Sequence, residues 1–211
     1  MFFRVKWFFF REQISVIRRY YVNPRFVLVD LTYNFINLFW NPYRACRKFL
    51  QKQGEKDVHV YGETPLTTFE KLMNAVGLCR DDKYVELGSG RGKTCVWAGL
   101  FRGCKVRGVE WMPEFVRVSS LCAKIAGKHV RFEQTNMLTV DLSDATVVYF
   151  YGIHMDAELL DNTFAQLKPG SRLITISEPI NHEHFQITQV LPVRFPWGET
   201  EAYVHTKKLS P

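Results

Sequence analysis

The sequence predicts an α/β fold built on a mostly parallel, doubly wound sheet, preceded by a short helical extension. Three observations carry this. From residue 83 onward, apolar runs of strand length alternate with segments of helical period. Three glycines spaced two apart follow the first of these runs, at Gly88, Gly90 and Gly92. Residues 1–50 differ in composition from the rest, with nine Lys/Arg, two Asp/Glu and fifteen aromatic residues.

Residues 1–50 read as two amphipathic helices separated by the turn signal Asn23-Pro24. In the first, Arg4, Arg11, Ser15 and Arg18 share one face, while Trp7, Phe10, Ile14, Ile17 and Tyr21 share another. In the second, Asp30, Asn34, Asn37 and Asn41 fall at i, i+4, i+7 and i+11, one polar stripe on an otherwise apolar helix. Asn41-Pro42 ends it. Residues 51–211 carry equal numbers of acidic and basic groups, so the whole net charge of +7 lies in the N-terminal quarter. Two expectations follow for this segment. It packs on the catalytic domain as a cap, or it lies in a membrane interface against anionic lipid. Contact with nucleic acid is a less favoured third.

A polar linker, Gln51 to Asp57, precedes the alternating region. Strands are expected at Lys83–Leu87, Lys105–Glu110, His129–Gln134, Thr146–Tyr151 and Arg172–Ser177. Helices are expected at Thr67–Val76, Gly92–Leu100, about Pro113–Ala126 and Ala157–Leu167. Phe185–Leu191 and Ala202–Thr206 read as a closing strand pair, joined through Pro196-Trp197-Gly198, which makes an antiparallel edge. The organisation expected is an extension over 1–57 and a single α/β domain over 58–211.

With 211 residues, 46% hydrophobic and 23% charged, the chain has the composition of a folded domain and not of a disordered one. The apolar run Trp7–Phe10 is too short for a secretory signal and lacks a small-residue cleavage site. Phe26–Trp40 is interrupted by Asp30, Asn34 and Asn37 and falls short of the ~20 residues that span a bilayer. Cys46, Cys79, Cys95, Cys104 and Cys122 are odd in number and contain no Cys-x-x-Cys pair. They read as reduced thiols of a cytosol-like compartment, mostly buried. There is no internal repeat.

The chemistry concentrates in Glu86-Leu87-Gly88-Ser89-Gly90-Arg91-Gly92. Gly88 and Gly90 allow a tight turn with the backbone close to a ligand, and Gly92 opens the next helix. A dinucleotide fingerprint requires its third glycine at 93, which is Lys93. A P-loop requires a glycine at 87, which is Leu87. The pattern acidic-x-Gly-x-Gly-x-Gly of class I methyltransferases fits without mismatch. Their cofactor, S-adenosylmethionine, has no phosphate to cradle. Glu86 can hold its ammonium group, and amides of the loop at Gly88, Ser89 and Gly90 can meet its carboxylate. Glu110 closes the second strand, where a carboxylate accepts both ribose hydroxyls. Asn136-Met137, after the third strand, offers the adenine amine an acceptor and the ring an apolar cover.

The order of motifs from Val60 onward resembles the non-SET histone-lysine methyltransferases of the disruptor-of-telomeric-silencing type. It is similar also to their smaller relatives that methylate lysine in membrane-embedded ATP synthase c-subunits. The residues that carry the resemblance are Tyr61-Gly62-Glu63-Thr64, Glu86 to Gly92, and Gly108-Val109-Glu110, with the turn Lys168-Pro169-Gly170 and the strand Arg172–Ser177. It spans roughly residues 58–180. It implies a Rossmann-like class I methyltransferase fold with a seven-stranded, mostly parallel sheet and an antiparallel C-terminal strand. It also implies a protein substrate, and that Tyr61, Glu63 and Thr64 close over the methionine part of the cofactor. The chain departs from the family at Asn136-Met137, where the histone-type enzymes have Asp-Phe. It departs again at Tyr149–His154, where they have an Asn-rich motif.

That second departure lies where the methyl acceptor enters. Tyr151 is the expected orienting residue there, and His154 an expected proton acceptor. Amino-methylating nucleic-acid enzymes often carry Asn or Asp before Pro-Pro-Tyr at this place, which this chain lacks. His182-Glu183-His184 has no third partner in sequence and reads as a polar loop, so no metal is expected. The expected activity is protein-lysine N-methylation. RNA or small-molecule methylation is the alternative, and a non-catalytic module that binds membrane or nucleic acid is a third reading.

Overall fold

The computed structural model describes residues 2–58, 61–152 and 162–209. Strands β1 (Lys83–Leu87), β2 (Lys105–Glu110), β3 (Val130–Gln134), β4 (Val147–Phe150), β5 (Arg172–Ile176), β6 (Phe185–Phe195) and β7 (Gly198–Lys207) form one sheet in the order β3-β2-β1-β4-β5-β7-β6. The first five pair in parallel. β7 runs antiparallel to β5, and β6 antiparallel to β7. The chain grows outward from β1 through β2 and β3, then returns to place β4 on the other side of β1. That reversal makes a crevice at the carboxyl ends of β1 and β4, the place where doubly wound sheets bind ligands. The fold is the expected Rossmann-like one, with its antiparallel closing strands.

Helices α1 (Phe2–Tyr20), α2 (Pro24–Phe39), α3 (Pro42–Gln53), α4 (Leu66–Ala75), α5 (Lys93–Arg102) and α6 (Pro113–Ala126) complete the regular structure, with short 3₁₀ turns at Met137–Thr139 and Phe164–Gln166. The central strands are buried on both faces, as a parallel sheet requires. Tyr84, Tyr149 and Ile174 point to a core shared with α1, α2, α4, α5 and α6. Val85, Leu87, Val148, Phe150 and Leu173 alternate to the opposite face. There Leu142, Phe164, Leu167 and Phe185 cover them.

The sequence reading needs correction in three places. The N-terminal region holds three helices and not two. Asn41-Pro42 ends α2 and also starts α3, because the Asn41 side chain accepts from the Arg44 amide and Pro42 occupies the first helical position. Asn23-Pro24 does the same for α2. The expected linker therefore begins later, after Gly54 closes α3 in a left-handed conformation. The closing strands are longer than expected and meet at a two-residue turn, Pro196-Trp197. Pro192 is tolerated within β6 because β6 is the edge of the sheet. Residues 157–161 of the expected helix Ala157–Leu167 lie outside the described residues, and its described part includes the 3₁₀ turn Phe164–Gln166.

The N-terminal helices belong to the main core. Tyr20 packs edge-on against Trp97 of α5, with ring centroids 5.8 Å apart, and lies 5.3 Å from Phe101. Phe26 of α2 meets Phe101 at 5.5 Å, and Phe69 of α4 meets Trp97 at 5.6 Å. Buried aromatic pairs of this kind add ~1 kcal/mol each beyond the area they bury. All five cysteines are free. Four are buried and Cys79 is exposed.

Gly92 and Gly108 admit the ring of Phe132 from β3. A Cβ on Gly92 would stand 2.3 Å from that ring and 2.8 Å from Ser119, and one on Gly108 2.4 Å from it. Gly92 also has φ +78°. Gly92→Ala is therefore expected to destabilise the protein by about 3 kcal/mol, from overpacking and left-handed strain together. Urea unfolding checks this. In a Phe132→Ala background the added cost of Gly92→Ala should fall to about the strain alone, ~1–2 kcal/mol.

Candidate active site

The turn after β1 is held by its own backbone. The amides of Gly88 and Ser89 both donate to the Val109 carbonyl at 2.9 Å, and the Gly92 amide to the Ser89 carbonyl. Gly88, Gly90 and Gly92 have φ of +71°, +54° and +78°, the conformations that require glycine. The loop delivers Lys93 to the start of α5 at the crevice of the sheet.

Residues 61–64 lie across this loop like a strap. The Tyr61 ring covers Gly90, where a Cβ would come within 3.2 Å of it. Tyr61 also packs on Phe115 at 4.7 Å, and its hydroxyl donates to Glu63 at 2.5 Å. Thr64 and Tyr149 share a hydroxyl–hydroxyl bond of 2.7 Å. Glu63 takes a bidentate pair from Arg91, at 2.7 and 2.9 Å. Burial pushes the Glu63 carboxyl up, but Arg91 and Tyr61 outweigh this and hold it below its ordinary value.

Between strap and loop lies a cavity of about 50 Å³. Tyr61, Glu63, Thr64, Glu86, Gly88, Ser89, Gly90, Gly92 and Tyr151 all line it. These residues, 90 positions apart at the extremes, were each singled out in the sequence. Other lining residues were given no role there, among them Arg91, Lys93, Thr94 and Tyr149. The strap lies directly on the loop, so the cavity is smaller than the ~300 Å³ or more of ordinary ligand pockets.

Glu86 is buried and meets Tyr84 Oη at 2.8 Å, Thr94 Oγ1 at 2.7 Å and Cys95 Sγ at 3.2 Å, all donors to its carboxylate. Burial raises its pKa to about 7, against the lowering effect of those three donors. Glu110 accepts from the Gly90 and Met112 amides at 2.8 Å each. Burial again wins and holds it above its ordinary value. Each of its oxygens keeps a second lone pair for a hydroxyl donor. Glu110 lies behind the loop and not on the cavity wall. Asn136 is exposed, its Oδ1 accepting from the Leu138 amide, and Met137 packs half-buried on the second core face. Neither lines the cavity. His154 lies outside the described residues.

S-adenosylmethionine fits what is present. Ser89 Oγ is buried in the cavity wall without a hydrogen-bond partner. A Cβ on Gly88 would meet no atom within 4 Å, so the loop is open on that side. An orphaned donor, an open glycine backbone and carboxylates at the ends of β1 and β2 suit a ligand with an amino acid at one end and a ribose in the middle. Among the described residues no cluster of three or more His, Cys, Asp or Glu could hold a metal ion.

Residues 86–186 match the family model of the ANTKMT methyltransferase domain. The chain carries a class I, S-adenosylmethionine-dependent methyltransferase domain. Solved structures with this fold agree. An RNA methyltransferase from Salinibacter ruber, in complex with S-adenosyl-L-homocysteine, is 24% identical over 71% of this chain and 96% of that one, with a TM-score of 0.62. Geranyl diphosphate C-methyltransferase from Streptomyces coelicolor A3(2) is 18% identical over 69% and 78%, with a TM-score of 0.57. A mutant of MtNAS, in complex with S-adenosylmethionine, is 13% identical over 92% and 82%, with a TM-score of 0.57, so that likeness reaches into the N-terminal helices. No curated protein sequence matches the chain.

The Glu86 pKa gives the methyltransferase a pH signature. A carboxyl raised in the folded state contributes stability that is full below its unfolded pKa of 4.5 and lost as pH rises through about 7. Ligand binding should run the opposite way, because only the ionised carboxylate attracts an ammonium group. Affinity for S-adenosylmethionine, measured by calorimetry, is expected to rise severalfold between about pH 6 and about pH 7.5. Glu86→Gln should flatten that rise. A rise of the same size in the variant would assign it to another group.

Proposed function

We propose that this methyltransferase uses S-adenosylmethionine to methylate lysine side chains of a protein. The observation that carries the reading is the Tyr61–Thr64 strap lying on the Gly88–Gly92 loop, with Tyr149 and Tyr151 forming the aromatic wall beside it. The match to the ANTKMT methyltransferase domain, a lysine methyltransferase family, supports the acceptor class. Residues 58–211 are taken as the catalytic domain and 1–57 as its helical extension.

The cofactor supplies an electrophilic methyl group. Glu86 would hold its ammonium group, and Glu110 its ribose. The amides of Gly88, Ser89 and Gly90, expected to meet its carboxylate, already donate to Val109 and Glu110, and that of Gly92 to Ser89. Asn136 and Met137 would meet the adenine. The protein's own work is alignment and exclusion of water. A lysine must arrive as the neutral amine, and aromatic surroundings favour that form. Tyr151 is half-buried, packs on Phe195 at 5.0 Å, and accepts a hydrogen bond from Trp197 Nε1 at 2.9 Å. Burial raises its pKa, so it stays a phenol and orients the amine without removing a proton. That task falls to solvent or to His154. Tyr151→Phe is expected to cut turnover about tenfold with little change in cofactor affinity. Loss of cofactor binding instead would place the acceptor elsewhere.

The N-terminal helices support placing this activity at an anionic membrane surface. No described helix is long and apolar enough to cross a membrane. α2 nevertheless buries only Phe26, Val29, Asp30 and Tyr33. Leu28, Leu31, Phe35, Leu38 and Phe39 are all exposed, Leu38 and Phe39 by 76% and 79%. On α1, Phe3, Trp7, Phe10 and Ile17 are exposed as well. The two acids of residues 1–50 both turn inward, Glu12 to Thr67 and Asp30 to Lys93. The outer surface thus offers apolar rings bordered by Arg4, Arg11, Arg18 and Arg25, the composition of an interfacial helix pair. Vesicle flotation tests this. The protein should float with vesicles containing phosphatidylserine and not with pure phosphatidylcholine. The exposed triple variant Phe35→Gln, Leu38→Gln, Phe39→Gln should remain folded and stop floating. Equal flotation of both proteins would remove the membrane reading.

A further inference from the structure

Three side chains of α2, Asp30, Tyr33 and Asn37, reach the cofactor loop or the lysine that follows it. Tyr33 Oη donates to the Arg91 carbonyl at 2.6 Å, fixing the loop backbone between Gly90 and Gly92. The Arg91 guanidinium, 5.5 Å from the Tyr33 ring centroid, donates to Asn37 Oδ1 at 2.5 Å. Lys93 pairs with Asp30 at 2.6 Å, and Asp30 is fully buried, also accepting from Gln13 at 3.2 Å and Tyr21 at 2.8 Å. We propose that α2 positions the cofactor loop, with Tyr33 and Asn37 acting through Arg91 and Asp30 through Lys93.

Physical economy favours this over a purely structural role. α2 buries Phe26 and Val29 in the core, yet Asp30, Tyr33 and Asn37 each reach Arg91 or Lys93, while five large apolar residues of the helix stay outside. The loop needs such support because Gly88, Gly90 and Gly92 leave its backbone free to adopt many conformations when unbound, and a ligand must then order it. Arg91 itself is 6% exposed; its guanidinium donates twice to Glu63 and once to Asn37 and its carbonyl accepts from Tyr33, so it ties strap, loop and α2 into one unit.

The inference rests on the cofactor reading above, and the experiment separates the two. Calorimetric titration of S-adenosylmethionine into the full chain compares wild type, Asn37→Ala, Asn37→Asp and Tyr33→Phe, with melting temperatures measured in parallel. Asn37→Ala should weaken binding five- to tenfold, the loss of about one charge-assisted hydrogen bond. Its melting temperature should hardly move, because Asn37 is exposed on α2. Asn37→Asp keeps an acceptor for the guanidinium and should restore affinity. Tyr33→Phe should weaken binding similarly, with some loss of stability. Unchanged affinity in both Asn37→Ala and Tyr33→Phe, with wild type binding, overturns the positioning role alone. So does weakening that Asn37→Asp fails to repair. Failure of folded wild type to bind overturns the cofactor reading and this inference with it.

Discussion

The guanidinium of Arg91 is the contact on which the rest of the site depends. Backbone bonds to Val109 and within the turn set the path of this loop of three left-handed glycines, and its ties to strap and helix run through a side chain. Arg91 sits in the middle of that loop and supplies five donors in a fixed plane. Glu63 takes two of them and fixes the strap. Asn37 takes another and fixes α2. The site is therefore assembled from chain segments near residues 37, 63 and 91, joined through one side chain. Burying a guanidinium costs several kcal/mol, and it is tolerated here because Glu63 is ionised and three of the five donors are paired.

This arrangement explains why the N-terminal helices have the faces they do. Tyr20 and Phe26 bury large rings against α5, and Tyr33 is buried beside Arg91, which seats α1 and α2 on the domain. The remaining inward positions are then available for polar contacts. The apolar residues that α2 needs for no internal purpose stay outside, next to a surface from which both acids have been withdrawn. The same helix thus holds the cofactor loop from one side and offers an interfacial surface on the other.

The sheet was legible because its signals are local. Period-two burial, the acidic closing residue of β1 and the three glycines all lie within a few positions of one another. The strap was legible only through resemblance, because nothing in Tyr61-Gly62-Glu63-Thr64 states which loop it covers. Arg91 was written in the sequence and passed over, since the intervening positions of a glycine motif carry no pattern of their own. The stripe Asp30, Asn34, Asn37, Asn41 was visible as a periodicity. Which way it faced was not, because an amphipathic helix fixes two faces and leaves open which is turned inward. Asn41-Pro42 misled in another way. The pair ends one helix and caps the next with the same residues, as Asn23-Pro24 does, so a third helix followed where only the end of the second was read.

Three carboxylates surround the loop, and their surroundings set them apart. Glu63 faces a guanidinium and is held ionised. Glu86 has only neutral donors, Tyr84, Thr94 and Cys95, and sits near neutrality at about 7. Glu110 has two backbone amides and is raised by burial. A ligand that brings an ammonium and a sulfonium brings the positive charge these last two lack. Glu63 has already been given its cation by the chain and is needed to hold the strap. Glu86 and Glu110 are left without one, and they stand at the ends of β1 and β2 where the ligand must lie. The separation of pKa values therefore separates scaffold from binding group within a single loop.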